Sequence, residues 1–135
     1  HHAPCVAIPE ARRQYHYWPD GDAYDAWDVA ELIRRSVGLP VVRVALDDIP
    51  EIDTNYWFHS GHQPTVRNIV THARHAREGV DPTYPVILGP GNRVMDGIHR
   101  IVRALLDGES HVRAVRFEVL PPPDLVSCEL GTTRD

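Results

Sequence analysis

The sequence predicts an α+β fold, with three main helices and one small mixed β-sheet. Three segments carry apolar residues at helical spacing, and short runs rich in Val, Ile and Leu lie between them. The predicted order is helix, strand, loop, helix, hairpin, helix, strand, which is typical of a small α+β domain. Because 135 residues suffice for one modest core, we expect a single domain over residues 1–135.

The first helix is predicted to begin after Asp28. Asp28 and Glu31 have the spacing of a capping box, and apolar residues recur at helical spacing until Gly38. Residues 1–27 carry Pro, Tyr, Trp and charged residues in no clear period. We therefore expect them to form an irregular N-terminal segment.

A strand, a long loop and a second helix are predicted next. The β-branched run VVRVAL over 41–46 predicts the strand, and 47–65 is a loop with acidic, aromatic and His residues. Thr65 is the expected N-cap of the second helix, and Gly79 is its expected end. The residues expected on the buried face of this helix are Val66, Ile69, Val70 and Ala73.

The remaining elements are a hairpin, a third helix, a final strand and a tail. The turn GPGN separates two short apolar runs, and Gly108 follows the last helical residue. Three consecutive prolines end the regular structure after the final strand. The four elements are predicted over 84–95, 97–107, 111–120 and 121–135.

Composition excludes several classes of site. The formal net charge is −5, so bulk attraction to DNA is not expected. All fourteen basic residues are Arg, which excludes the lysine-dependent P-loop and Schiff-base sites. No apolar run of membrane length and no signal-peptide pattern is visible. Cys5 and Cys128 are therefore expected to be free thiols of a cytoplasmic protein, with a disulfide between them as the alternative.

The segment RVMDGIHR, residues 93–100, is the main candidate site. A strand ends at Asp96-Gly97 and a helix begins, so unpaired backbone N–H groups and the positive end of the helix dipole are expected there. Gly97 allows close approach to the backbone, and His99 and Arg100 add side-chain donors in the first turn. This pattern favours binding of a phosphate or carboxylate group. The equal alternative is a plain turn, with Asp96 as a cap and Arg100 as a surface charge.

Residues 41–120 resemble the ParB/sulfiredoxin superfamily. The resemblance is carried by YPVIL, GNRVMDGIHRIVRALLDG and HVRAVRFE, in which a strand and a Gly-x-His-Arg turn lead into a helix. In that superfamily the N-terminus of this helix binds nucleotide phosphates. Sulfiredoxins carry a catalytic cysteine where this chain has Ile98, so sulfinic acid reduction is disfavoured. Partition-type ParB proteins add a helix-turn-helix domain, for which no segment is visible.

The Asp-Gly-x-His-Arg form is most similar to that of the free serine kinases of the superfamily. The resemblance implies a nucleotide cofactor (ATP, ADP or CTP) with Mg²⁺, and phosphate transfer to a hydroxylated small molecule. In those kinases a carboxylate in the loop after the first strand serves as the base, which assigns that role to Glu51 and, as second candidate, to Asp53. The turn residues named above would hold the phosphates, with Asp96 contributing to Mg²⁺ binding. Arg67 and His72 are the expected accessory contacts.

Three alternatives stay open. The same turn would serve a non-catalytic nucleotide-binding regulator and, less well, a ParB-like DNA-binding or nuclease module. A zinc site is the third alternative, although no Cys or carboxylate completes a familiar spacing. Its ligands would be His59, His62, His72 and His75. Tyr56, Trp57 and Phe58 would either wall the nucleotide pocket or fill the core.

Overall fold

The fold belongs to the α+β class, as the sequence predicts. The computed structural model describes residues 3–4, 15–20, 23–54, 64–81 and 83–128, in which three α-helices and two four-stranded sheets form. The helices are α1 Val29–Ser36, α2 Val66–Glu78 and α3 Ile98–Leu106. The strands are β1 Ala3–Pro4, β2 Tyr15–Asp20, β3 Ala23–Asp28, β4 Val42–Ala45, β5 Val86–Leu88, β6 Val94–Asp96, β7 His111–Arg116 and β8 Leu125–Cys128. None of these helices combines the length and the apolar character needed to cross a bilayer.

These elements fall into two compact units. The first combines His1–Gly38 with Val119–Asp135, and the second is Leu39–Glu118. The expectation of a single domain over residues 1–135 stays a prediction, because the compactness of two units does not establish that either folds alone. The expectation of one sheet is wrong, since each unit contains a sheet of its own.

The first unit is built on a sheet where the sequence predicts irregular structure. Its strand order is β1-β8-β3-β2, with β2 and β3 paired antiparallel along their whole length. The sequence predicts an irregular segment over 1–27 and a tail over 121–135. Both predictions are therefore wrong where the structure has β1, β2, β3 and β8. Tyr15 packs beside Tyr17 on one face of β2, and the other face is also aromatic. Because both faces carry aromatic residues, the sequence does not show the alternation of apolar and polar residues that marks a half-buried strand.

Asp28 caps α1 as predicted, but the expected capping box does not form. The Asp28 carboxylate accepts a hydrogen bond from the backbone N–H of Ala30 at 2.9 Å. The backbone N–H of Asp28 donates to the Asp124 carboxylate at 2.9 Å, and Glu31 instead pairs with Arg34. The distant Asp124 thus takes the role that the local spacing assigns to Glu31, which sequence separation conceals.

The second unit contains a mixed sheet of order β4-β7-β5-β6. β7 runs antiparallel to β4 and parallel to β5, while β5 and β6 form the predicted hairpin. The core of this unit includes Ile101 of α3, which is fully buried. The other buried members of this core are Val44, Leu46, Ile49, Val86, Leu88, Val94 and Ala114. β6 is an edge strand, and its C-terminal end leads directly into α3.

The second helix begins and ends where the sequence predicts, but its predicted buried face is wrong. Thr65 and Asn68 form a capping box at its start. Val66, Ile69 and Val70 are 79%, 55% and 46% exposed, whereas Ala76 is fully buried. The C-terminal half of α2 packs on α3, where the Arg103 guanidinium donates to the backbone carbonyl of Arg77. Hydrophobic spacing cannot indicate which half of α2 packs on α3.

Candidate functional site

The turn between β6 and α3 has the geometry that the sequence predicts. Gly97 is the N-cap residue of α3, with φ 105° and ψ 24°. This left-handed conformation strongly favours glycine. Glycine has no side chain to bond the first-turn N–H groups, and no side-chain cap replaces it. Gly97, the cap residue of α3, therefore offers no side-chain acceptor to the first-turn N–H groups of this helix.

Arg100 folds back over this turn rather than extending from the helix. Its Nη1 lies 3.6 Å from the Asp96 carboxylate and 3.5 Å from the Pro85 carbonyl oxygen. Its guanidinium carbon lies 5.9 Å from the centre of the Tyr84 ring. A Cβ placed on Gly97 would come within 2.9 Å of Arg100 Nη1. The guanidinium is thus held at the N-terminus of α3, and the buried Nε has no hydrogen-bond partner among the described residues.

Asp96 is a mostly buried carboxylate at the end of β6. Burial raises the pKa of Asp96 above its ordinary value, while Arg100 and the Gly97 N–H act in the opposite direction. The pairing with Arg100 therefore offsets only part of the cost of removing this carboxylate from water. Asp96 holds Arg100 over the turn and neutralises part of its charge.

His99 turns toward α2 and joins two histidines there. Its Nε2 lies 3.0 Å from His72 Nδ1, and the two rings are stacked with centroids 5.2 Å apart. The ring of His75 meets the ring of His99 edge-on at 4.4 Å. We call His72, His75 and His99 the histidine cluster. Sequence spacing shows the proximity of His72 and His75 on one helix, but the inclusion of His99 depends on how α2 packs on α3.

The surroundings of His99 and His72 favour the uncharged forms of these two rings. Burial, with smaller contributions from the charges of His75 and His72, lowers the pKa of His99 to about 4. Burial and His75 also lower the pKa of His72. In the structure His99 therefore contacts α2 through Nε2 and carries little positive charge, whereas the sequence suggests only that it is a donor in the first turn.

Glu51 is buried against β6, which argues against its being a solvated loop charge. Its side chain is 10% exposed. Glu51 Oε2 accepts a hydrogen bond from the backbone N–H of Val94 at 3.1 Å and lies 3.7 Å from Arg93 Nε. Glu51 Oε1 is buried and has no hydrogen-bond partner among the described residues. Val94 and Gly97 are three residues apart, so this carboxylate lies within about 10 Å of the α3 N-terminus along the strand.

Asn92 helps to hold the loop that carries Glu51, and the sequence analysis did not identify it. Its amide nitrogen donates to the Asp48 carbonyl at 3.3 Å, and its amide oxygen accepts from Arg116 at 2.7 Å. Asn92 has a positive φ of 62°, which Asn tolerates better than most residues. The Gly-Asn pair of the GPGN turn is the sequence signal that could have identified it.

Arg67 and Asp53 are both exposed. The position of Arg67 along α3 follows from the contacts between α2 and α3. Residue 72 of α2 lies beside residue 99 of α3, and residue 77 beside residue 103, so the two helices run in the same direction. Arg67 precedes His72 by five residues, whereas α3 begins one residue before His99. Arg67 therefore lies about 6 Å beyond the start of α3 along the helix direction. Asp53 lies at the end of the short 3-10 helix Pro50–Asp53.

The zinc alternative gains no support within the described ranges. No group of three or more His, Cys, Asp or Glu side chains is arranged there to hold a metal ion. His59 and His62 lie outside the described residues, as do Tyr56, Trp57, Phe58 and Cys5. The contact between His72 and His99 places their two nitrogens against each other rather than around a common point.

Comparison of the chain with protein-family models, with curated proteins and with solved structures gives no match in any of the three.

Proposed function

We propose that the unit Leu39–Glu118 is a ParB/sulfiredoxin-like domain that binds nucleotide phosphates and transfers a phosphoryl group to a small hydroxylated molecule. The mixed sheet, the left-handed Gly97 between β6 and α3, and the edge position of β6 support this proposal. The observation that carries it is the buried Glu51 carboxylate, whose Oε1 lacks a partner among the described residues and which lies about 10 Å along β6 from the N-terminus of α3.

The N-terminus of α3 supplies the phosphate-binding part of this proposal. First-turn N–H groups and the helix dipole favour negative charge there. Arg100 is held over the same turn by Asp96, and Arg67 is an exposed cation in the first turn of α2. These donors would surround a terminal phosphate without a lysine, in agreement with the lysine-free composition.

Glu51 supplies the acid–base part. A hydroxyl group that attacks a phosphoryl group must lose its proton, and a carboxylate within hydrogen-bond reach accepts it. In the proposed step with a nucleoside triphosphate, the Glu51 carboxylate takes this proton and the hydroxyl oxygen bonds to the terminal phosphorus. The bond from that phosphorus to its bridging oxygen breaks, and the nucleoside diphosphate leaves. The bond from the Val94 N–H fixes Oε2 of the carboxylate, while Oε1 has no hydrogen-bond partner among the described residues.

Mg²⁺ that is bound mainly by nucleotide phosphates needs one or two protein carboxylates. Asp96 is the carboxylate at this turn, and its pairing with Arg100 leaves it a modest ligand. When bound, the ion would offset the charge of the phosphates.

Nucleotide binding and phosphate transfer test this function separately. We expect Arg100→Ala to weaken nucleotide binding at least tenfold in calorimetry. Glu51→Gln should leave binding unchanged and lower phosphate transfer to a panel of hydroxylated metabolites by about 10²–10⁴-fold.

Two variants of the same loop serve as comparisons. Asp47→Asn removes an exposed carboxylate and should change neither readout. Loss of transfer in Asp53→Asn, with full activity in Glu51→Gln, would move the base to Asp53. Binding without turnover would indicate a nucleotide sensor, and failure of every nucleotide to bind would refute the phosphate site.

A further inference from the structure

We propose that Arg43 and Arg113 together form a binding site for a phosphate group on the sheet of the second unit. The two residues lie directly opposite each other on the antiparallel strands β4 and β7. Residues in this position have Cα atoms about 5 Å apart, and both side chains are exposed. The site does not use the N-terminus of α3, so the inference goes beyond the proposed function.

The alternation of side chains along the strands places this pair away from α3. Val44 and Ala114, which follow Arg43 and Arg113 in the sequence, belong to the core that also contains Ile101 of α3. Successive side chains of a strand point to opposite faces of the sheet. Arg43 and Arg113 therefore project from the face that does not pack on α3.

The two positive charges are not neutralised within the described part of the chain. Neither guanidinium forms an ion pair there. The neighbouring positions on this face carry Ala45 and His111 on one side and Val115 on the other, none of which is acidic. Like charges directly opposite each other on antiparallel strands destabilise a sheet. Such departures from the local rules of stability are expected at functional sites.

One guanidinium of the pair is fixed and the other can adjust. Arg113 Nη1 donates to the Thr83 carbonyl oxygen at 2.8 Å. A guanidinium has five N–H donors in one plane, so this bond holds the plane in place and leaves other donors for a ligand. The Arg43 side chain makes no hydrogen bond to a described residue and extends from β4, an edge strand. Arg43 can therefore turn toward a group that is bound to Arg113.

A phosphate group matches this pair in charge and in hydrogen bonding. It carries close to two negative charges at neutral pH and three acceptor oxygens, and guanidinium groups bind it through paired N–H···O bonds. A phosphate between the two arginines would replace their repulsion with two attractions. A carboxylate has one charge and two oxygens, so we expect acetate to bind at least threefold more weakly than inorganic phosphate.

Arg43→Gln tests the site, because Arg43 has no structural bond to lose. Without phosphate and at low ionic strength, the loss of repulsion should raise the urea midpoint by about 0.3 M. Inorganic phosphate binding, followed at pH 7.5 through the backbone amide NMR signals of β4 and β7, should weaken about tenfold. A residue with only a structural role would not give higher stability together with weaker binding.

Arg74→Gln is the matched control, since Arg74 is an exposed arginine of α2 and the net charge changes equally. This variant should leave the affinity for phosphate and the urea midpoint unchanged. Sodium chloride keeps the ionic strength constant in the phosphate and acetate titrations, so that screening contributes equally to each. The titration of the wild-type protein does not depend on the folding of any variant.

The outcomes separate this inference from the proposed function. The inference is overturned if Arg43→Gln binds phosphate as the wild type does, if its urea midpoint does not rise, or if acetate binds as tightly as phosphate. If phosphate shifts only the amide signals of the first turn of α3, the inference is overturned and the phosphate site of the proposed function stands. If phosphate shifts only the signals of β4 and β7, the inference stands and that phosphate site is refuted.

Discussion

Gly97→Ala tests both the backbone and the space at the turn before α3. The φ of 105° is unfavourable for any residue with a Cβ, and left-handed conformations cost an L-residue about 1–2 kcal/mol. The new methyl group would also meet the Cα and Cγ2 of Val86 at 3.3 Å and Arg100 Nη1 at 2.9 Å. Arg100 is the end of a flexible side chain and can move, but the backbone of Val86 belongs to a buried strand. Crowding there adds about 1–2 kcal/mol, for a total of about 2–4 kcal/mol.

Gly108→Ala is the matched control, because Gly108 lies just past the other end of α3. Its φ is 74°, and a Cβ there would meet nothing within 4 Å. This variant should lose only the backbone contribution of about 1–2 kcal/mol. The difference between the two variants, about 1–2 kcal/mol, therefore measures the crowding at Gly97. At a typical urea dependence of about 1–2 kcal/mol per molar, the two midpoints should differ by about 1 M.

Urea unfolding, followed through backbone amide NMR signals of residues 39–118, measures these free energies. The same samples report on the site, since the methyl group would displace Arg100 and cover the first-turn amides. Sulfate binding should weaken at least tenfold in Gly97→Ala and stay unchanged in Gly108→Ala. If Gly97→Ala unfolds at the same urea concentration as Gly108→Ala, the close approach of β5 to the turn is wrong.

Two further predictions concern stability. The pKa of His99 in the folded protein is about 4, below its ordinary value of 6.5. Between these pH values the unfolded chain therefore binds more protons than the folded chain. The free energy of unfolding should fall as the pH falls from 6.5 to 4. His99→Gln should reduce this slope in urea titrations at several pH values; an unchanged slope would show that His99 is not held neutral. Thr65→Ala removes the side chain that accepts a hydrogen bond from the Asn68 N–H and should lower the free energy of unfolding by about 1 kcal/mol. Backbone hydrogen exchange should become faster only in the first turns of α2. If exchange there does not change, Thr65 does not cap this helix.

Patterns among residues close together in the sequence predicted most helices and strands of the second unit. The strand over 41–46, the hairpin, the third helix and the strand from 111 were predicted close to their observed bounds. Caps and turns are decided by neighbours in sequence, so Thr65, Gly97 and Gly108 could be identified without the structure. The candidate turn itself was found in this way, since Asp-Gly before an amphipathic segment is a local signal.

Only the tertiary structure decided which residues meet across long separations. The strands of the first unit are paired by residues near both ends of the chain, and aromatic residues on both faces hide their alternation. The exposure of Val66 depends on how far α2 extends beyond α3. The burial of Glu51 on Val94 and the contact of His99 with His72 join residues 43 and 27 positions apart. Such contacts follow from the packing of whole elements, and hydrophobic periodicity in a single segment contains no information about its partner.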